Sequence, residues 1–329
     1  MDNNPVVSVI TRTKNRPLTL KRLAENLKEQ KFENFEWIII NDCGEPEGVD
    51  EIAERAKKNI DVKVIHNTTP NGRSYPVNLG ADSAAGEYLL IIDDDDYLHE
   101  DCLADMVKFL KKNKNYQGVS GKTQVIIEEI HSNGNIEKIK TGHLYSPAAK
   151  DFRCENIFFS NPTPVHGTMI KKTCFIAAGG FPTDIEYTED WCFWFKFSLN
   201  YQIGTIEKTL AYYSQRKTIK NDYQNSAAYN KEGDRLHRIH EAKWKKKLLK
   251  QLDRKHLIAI VNNPKWKTVD HSIFDVEKLS SYYSMKNKDK VIRLIPDNIL
   301  KIFDKICFKC ERMRIYQNIV KRMQRRKTK

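Results

Sequence analysis

The chain has 329 residues, 40% hydrophobic and 30% charged, with a formal net charge of +13. That is enough apolar material for a packed core and too much for wholesale disorder, and it fits one large or two modest domains. Mean hydropathy is −0.63, and no apolar run approaches the roughly 18 residues of a spanning helix. The opening MDNNPVVSVI lacks the basic flank and apolar stretch of a secretory signal, which predicts a cytoplasmic chain. Seven scattered cysteines argue against a disulfide framework. Cys307 and Cys310 form a CxxC, but no second Cys or His pair stands near at zinc spacing.

The elements follow in order. Val6–Thr11 is a β-branched apolar run, and Pro17 opens an amphipathic helix carrying Leu18, Leu20, Leu23 and Leu27. Trp37–Ile40 reads as a second strand, Glu51–Lys58 as a helix and Val62–Ile65 as a third strand. Asn71-Gly72 marks a turn before a helix over Ser74–Ala85; Tyr88–Ile92 is a fourth strand, and Leu103–Leu110 a helix. This βα alternation predicts an α/β fold whose mainly parallel sheet is flanked by helices. Farther on, Thr123–His131 alternates, Ser132–Asn135 signals a hairpin and Ile136–Lys140 returns. Phe158–Met169 reads as irregular, and Thr188–Leu199 as an aromatic-rich helix.

Charge divides the chain. Residues 1–214 hold 25 Lys and Arg against 31 Asp and Glu; residues 215–329 hold 31 against 12. We therefore expect a catalytic domain over 1–215 and a basic, mainly helical region over 216–329.

Polar clusters sit at three predicted strand ends: after Thr11, at Asp42 and at Asp93–Asp96. Parallel sheets bind ligands at that edge. Four consecutive carboxylates raise one another's pKa values unless cations neutralise them. A solvated, helix-capping turn explains them without function; at the ligand edge, a divalent cation bridging to substrate phosphates is the stronger reading. Asp42 suits a ribose or base imide, or a simple turn. Arg73 offers a planar fork to phosphate, or is a surface arginine. Glu189-Asp190 opens the aromatic helix, as a cap or as a general base.

Together, Val6–Arg16, Ile39-Ile40-Asn41-Asp42, Asn71-Gly72-Arg73 with Asn78-Leu79-Gly80, Tyr88–Asp96 and Thr188-Glu189-Asp190-Trp191 resemble the family 2 glycosyltransferases of the GT-A fold, over residues 5–215. The resemblance implies metal-dependent, inverting transfer of a sugar from a nucleotide-sugar donor, such as a UDP-sugar, to a hydroxyl of a glycan or lipid-linked acceptor in surface polysaccharide synthesis. It implies that Thr11 and Thr13 line the nucleobase pocket, and that Asp42, Arg73, Asp93 and Asp94 hold the nucleotide sugar. Asp95 would bind Mn²⁺ or Mg²⁺. Asp190 would be the base with Glu189 assisting, and His166 and Trp191 would lie on the acceptor side. Lys14 stands where many members carry an aromatic, and Gln215-Arg216-Lys217 does not match the Gln-x-x-Arg-Trp motif of processive synthases.

A sugar-nucleotide nucleotidyltransferase is the rival enzyme reading, weakened because Thr11–Pro17 has no glycine. The basic region offers charge for nucleic acid but no recognised nucleic-acid motif, so no nucleic-acid partner is expected. Apolar residues at helical spacing over Ile299–Met323, with Lys and Arg between them, suit the inner face of a membrane or internal packing. Oligomeric state is left open.

Overall fold

A computed structural model of the chain describes residues 4–216 and 231–268. Four strands, β1 (Val7–Thr13), β2 (Phe35–Asp42), β3 (Asp61–Asn67) and β4 (Tyr88–Ile91), alternate with α1 (Pro17–Lys28), α2 (Glu47–Ala56) and α3 (Ser74–Ser83). β1 pairs in parallel with both β2 and β4, and β2 with β3. The apolar runs of β1, β2 and β4 are buried along almost their whole length because helices cover both faces. One face sets Val7, Val9, Trp37, Ile39 and Leu90 in a core with Leu20, Leu23 and Leu27 of α1. On α1 those residues recur at helical spacing, and Pro17 needs no amide partner in the first turn.

α3 packs on the other face. A Cβ on Gly80 would lie 2.5 Å from Ile10 Cγ2, so the helix approaches β1 this closely only with glycine there. Asn78 trades hydrogen bonds with the backbone N–H and C=O of Phe181, both at 2.9 Å, tying α3 to the segment before the aromatic helix.

The sheet continues through β5 (Tyr97–Leu98), α4 (Cys102–Lys112), β6 (Gly118–Ile130), β7 (Ile136–Tyr145), the short α5 (Cys154–Ile157), β8 (Thr168–Lys171), α6 (Lys172–Ala177), α7 (Glu189–Ser198) and β9 (Ile203–Arg216). Its order is β3-β2-β1-β4-β8-β6-β9-β5, with β7 paired to β6. β8 runs antiparallel between β4 and β6. It starts inside the stretch expected to be irregular: four residues are too few to show a period, and pairing on both sides makes them a strand. The β6–β7 hairpin turns where expected, with Gly134 at φ 84°.

α8 (Lys231–Leu249) and α9 (Arg254–Val261) follow. The chain divides into two compact units, residues 1–245 and residues 246–329. In the first, the buried Trp244 packs edge-on to Trp191 and lies near Phe158 and Phe195. In the described part of the second, Leu257, Ile260 and Val261 are buried on α9, which Asp253 caps by accepting from His256 N–H at 2.9 Å. Among the described residues, no helix is long and apolar enough to cross a membrane. The basic helix expected over Ile299–Met323 and the Cys307–Cys310 pair lie outside the described residues.

Candidate functional site

The connections from β1 lead one way across the sheet, through β2 to β3, whereas β4 lies on its other side. The strand order therefore reverses between β1 and β4, and a crevice opens there at the carboxyl ends. Arg12 reaches it from β1, and Asp93 and Asp96 from the turn after β4.

Arg12 organises this edge. Its Nε donates to Asp93 Oδ1 at 2.7 Å and its Nη2 to Asp93 Oδ2 at 3.3 Å, a two-point grip on one carboxylate. Nη1 donates to the Arg73 carbonyl at 2.7 Å and to Glu189 Oε1 at 3.3 Å. One guanidinium thus links β1, the turn after β4, the start of α3 and the start of α7. Burial alone would lower its pKa; Asp93 and Glu189 outweigh that, and the pKa is raised. Burial would likewise raise Asp93, but Arg12 holds it well below the ordinary carboxylate range.

The other aspartates of the run each have different partners. Asp94 accepts from Thr13 Oγ1 at 2.6 Å and from Arg16 at 3.3 Å. Burial and the charge of Asp95 push its pKa up. Asp95 is held by Arg216 and, at 3.3 Å, by Arg16. Asp96 pairs with His166 Nδ1 at 2.9 Å and accepts the Ser214 N–H at 2.8 Å. Burial would lower His166, and the carboxylates of Asp96, Asp93 and Asp95 more than offset it.

α7 brings the second pair of carboxylates. Thr188, just before it, has φ 62°, a left-handed conformation costly for a β-branched residue. Asp190 Oδ2 accepts from Asn161 Nδ2 at 3.0 Å, and Oδ1 from the Trp191 N–H at 2.7 Å. Burial first, and the charge of Glu189 second, push its pKa up to about 6. A carboxylate with a pKa near 6 can take up or give up a proton close to neutral pH.

Arg73, Asp93, His166, Glu189, Asp190 and Trp191 all line one cleft of about 360 Å³. Five other expected site residues are not among its lining. Thr11 is fully buried, and its hydroxyl accepts from Trp37 Nε1 at 2.9 Å, because the β1 pleat turns it into the core. Thr13 faces Asp94 rather than open space. Asp42 sits at the same sheet edge, where its Oδ1 accepts from Asn67 at 2.7 Å. Asp94 and Asp95 lie behind Asp93, almost wholly buried.

The expectation of a cation at Asp95 meets a different arrangement. The four carboxylates have largely separate partners, Asp95 is already compensated by two guanidiniums, and no group of three or more His, Cys, Asp or Glu side chains among the described residues could by itself hold a metal. These residues form no cage that holds a divalent cation by themselves; one bound here would take one or two of these carboxylates and its remaining oxygens from a substrate diphosphate.

Several cleft residues escaped the sequence reading. Arg12 stands in the Val6–Arg16 motif, and only folding shows that it pairs with Asp93 and Glu189. Tyr145 ends the hairpin, and burial followed by the charge of Asp190 raises its pKa. Tyr213 comes from β9, and His237 from α8. Their signal would have been proximity to Asp190, which no spacing in the chain encodes.

Residues 8–169 match a family described as glycosyl transferase family 2. Two Haemophilus influenzae proteins described as uncharacterized glycosyltransferases are similar. One is 27% identical over 237 residues, covering 69% of this chain and 72% of its own length. The other is 25% identical over 233 residues, covering 67% and 73%. The Staphylococcus aureus poly(ribitol-phosphate) beta-N-acetylglucosaminyltransferase TarS is 26% identical over 223 residues, 64% of this chain and 35% of TarS. A crystal structure of S. aureus TarS 1–349 in complex with UDP shares the fold, with TM-score 0.54, 18% identity and coverage of 86% of this chain and 76% of that one. The complex with UDP-GlcNAc gives 0.52, 20%, 81% and 82%.

Proposed function

The chain belongs to glycosyl transferase family 2 through residues 8–169 and has the GT-A fold, and on that premise we propose that it transfers a sugar, with inversion, from a nucleotide-sugar donor to an acceptor hydroxyl. One observation carries the reading: Asp190, half-buried and with its pKa pushed up to about 6, opens onto the same cleft as Asp93 and Arg73. A base and a nucleotide-facing edge thus share one space.

The acceptor hydroxyl attacks the anomeric carbon, Asp190 takes its proton, and the bond from that carbon to the nucleoside diphosphate breaks. Asn161 and the Trp191 N–H each engage one carboxylate oxygen and so hold Asp190 in place for the incoming hydroxyl. The departing diphosphate gains negative charge, which Arg73, a third exposed at the cleft, is placed to meet. Arg12 serves this indirectly, because it holds the Arg73 carbonyl and the Glu189 carboxylate in register. No step runs through a cation at Asp95, whose carboxylate is engaged by Arg16 and Arg216.

The likeness to TarS, by name a poly(ribitol-phosphate) beta-N-acetylglucosaminyltransferase, supports UDP-sugars as the first donors to try and a surface glycopolymer or lipid-linked glycan as the acceptor class. The test is incubation with uridine, guanosine and deoxythymidine diphosphate sugars and a panel of alkyl glycosides as acceptors. Nucleoside diphosphate should be released together with a glycosylated product. Release of pyrophosphate would instead identify a nucleotidyltransferase and overturn the proposal.

A further inference from the structure

We propose that His166 binds a sugar hydroxyl in the cleft through Nε2, and that Asp96 is the positioning residue that holds it there; this rests on the reading of nucleotide-sugar transfer above. His166 Nδ1 meets Asp96 Oδ2 at 2.9 Å, and each side chain is 1% exposed. Asp96 is fixed in turn, because its Oδ1 accepts the Ser214 N–H at 2.8 Å. The Tyr213 ring packs 5.5 Å from the imidazole. The next residue is pinned as well: a Cβ on Gly167 would stand 2.5 Å from Thr123 Oγ1 and 2.6 Å from Thr163 Oγ1. A side chain at 167 would therefore displace one of these hydroxyls.

With Nδ1 committed to Asp96, Nε2 occupies the opposite edge of the ring. His166 lines the cleft, yet Nε2 is buried and has no hydrogen-bond partner among the described residues. A buried polar nitrogen without a partner calls for a ligand atom. A hydroxyl is the group that fits, because it both donates and accepts and so satisfies Nε2 with or without a proton. A phosphate oxygen only accepts, so it would satisfy Nε2 only while that nitrogen carries a proton. The hydroxyl can belong to the transferred sugar or to the acceptor.

Two variants and one measurement on the unaltered protein test this. His166→Asn keeps an N–H near the place of Nδ1 for Asp96 and deletes Nε2; His166→Gln reaches the place of Nε2. UDP, UDP-GlcNAc and UDP-glucose are titrated into each protein, and rates are measured with the alkyl glycosides. The expected result is unchanged UDP affinity in His166→Asn, with about tenfold weaker nucleotide-sugar binding and partial rescue in His166→Gln. A tenfold rise in acceptor KM with donor binding unchanged supports the proposal equally and assigns the hydroxyl to the acceptor. An equal loss of UDP and UDP-sugar affinity, or no change in any of these, overturns it. If the variants do not fold, the Nε2 resonance of ¹⁵N-histidine-labelled wild type decides. It should move with the UDP-sugar or the acceptor glycoside and not with UDP, and a resonance that moves with neither sugar ligand overturns the proposal. Should the unaltered protein bind no nucleotide sugar, the function proposed above falls as well; should it bind one that His166→Asn binds equally and turns over equally, only the present inference falls.

Discussion

Asn161 donates to Asp190 at 3.0 Å from a segment whose sequence gives no regular element. The bond favours the ionised carboxylate, against burial and Glu189, which raise its pKa to about 6. Turnover should therefore fall as the pH drops through about 6, where Asp190 takes up its proton. Asn161→Ala should move that midpoint upward, because it removes a stabiliser of the charged form. Asp190→Asn should keep donor affinity and lose roughly 10²–10⁴-fold in kcat. A pH–rate profile and a donor titration check all three, and near wild-type turnover in Asp190→Asn would remove the base assignment.

Arg12 should matter for stability as much as for binding. Its guanidinium lies between Asp93 and Glu189, so Arg12→Ala leaves the half-buried Asp93 without its hydrogen-bonded cation and the buried Glu189 with Arg73 alone, at 3.7 Å. Urea denaturation should show a loss of about 3–5 kcal/mol. Arg12→Lys should recover only part of it, since a point charge cannot grip both oxygens of Asp93. The Asp93 pKa is depressed in the folded chain, so this stabilisation is present above the ordinary carboxylate value of about 4 and is lost as the pH falls toward the folded value. The difference between wild type and Arg12→Ala should accordingly shrink in acid.

Asp95 tests whether ligation or ion pairing governs the acidic run. With Arg216 almost fully buried beside it, Asp95→Ala should cost about 3–5 kcal/mol in metal-free buffer. Mn²⁺ without nucleotide should leave the wild-type melting temperature unchanged. A rise in melting temperature that Asp95→Ala abolishes would return Asp95 to the role of metal ligand.

Thr11 should behave as part of the core. Thr11→Val removes the acceptor of the Trp37 indole and leaves a buried N–H unpaired, a cost of about 1–3 kcal/mol. UDP affinity, read by calorimetry, should be unaltered. Weakened UDP binding at full stability would restore Thr11 to the nucleobase pocket.

The sequence by itself determined the βα alternation, because each strand's apolar run and each helix's spaced leucines are local patterns that burial must satisfy. It also marked Asp93–Asp96 and Glu189-Asp190, since carboxylates at a strand end and a helix start are conspicuous against that pattern. Only the tertiary structure decided which of them face open space. The pleat turned Thr11 inward, and Asp95 is buried against Arg16 and Arg216 while Asp93 lines the cleft. β8 and β9 joined the sheet through partners far along the chain, and Asn161, Tyr145 and His237 came to the cleft the same way. Local sequence fixes periodicity; which charge meets which is settled by the approach of distant segments, and in a buried site that pairing governs the chemistry.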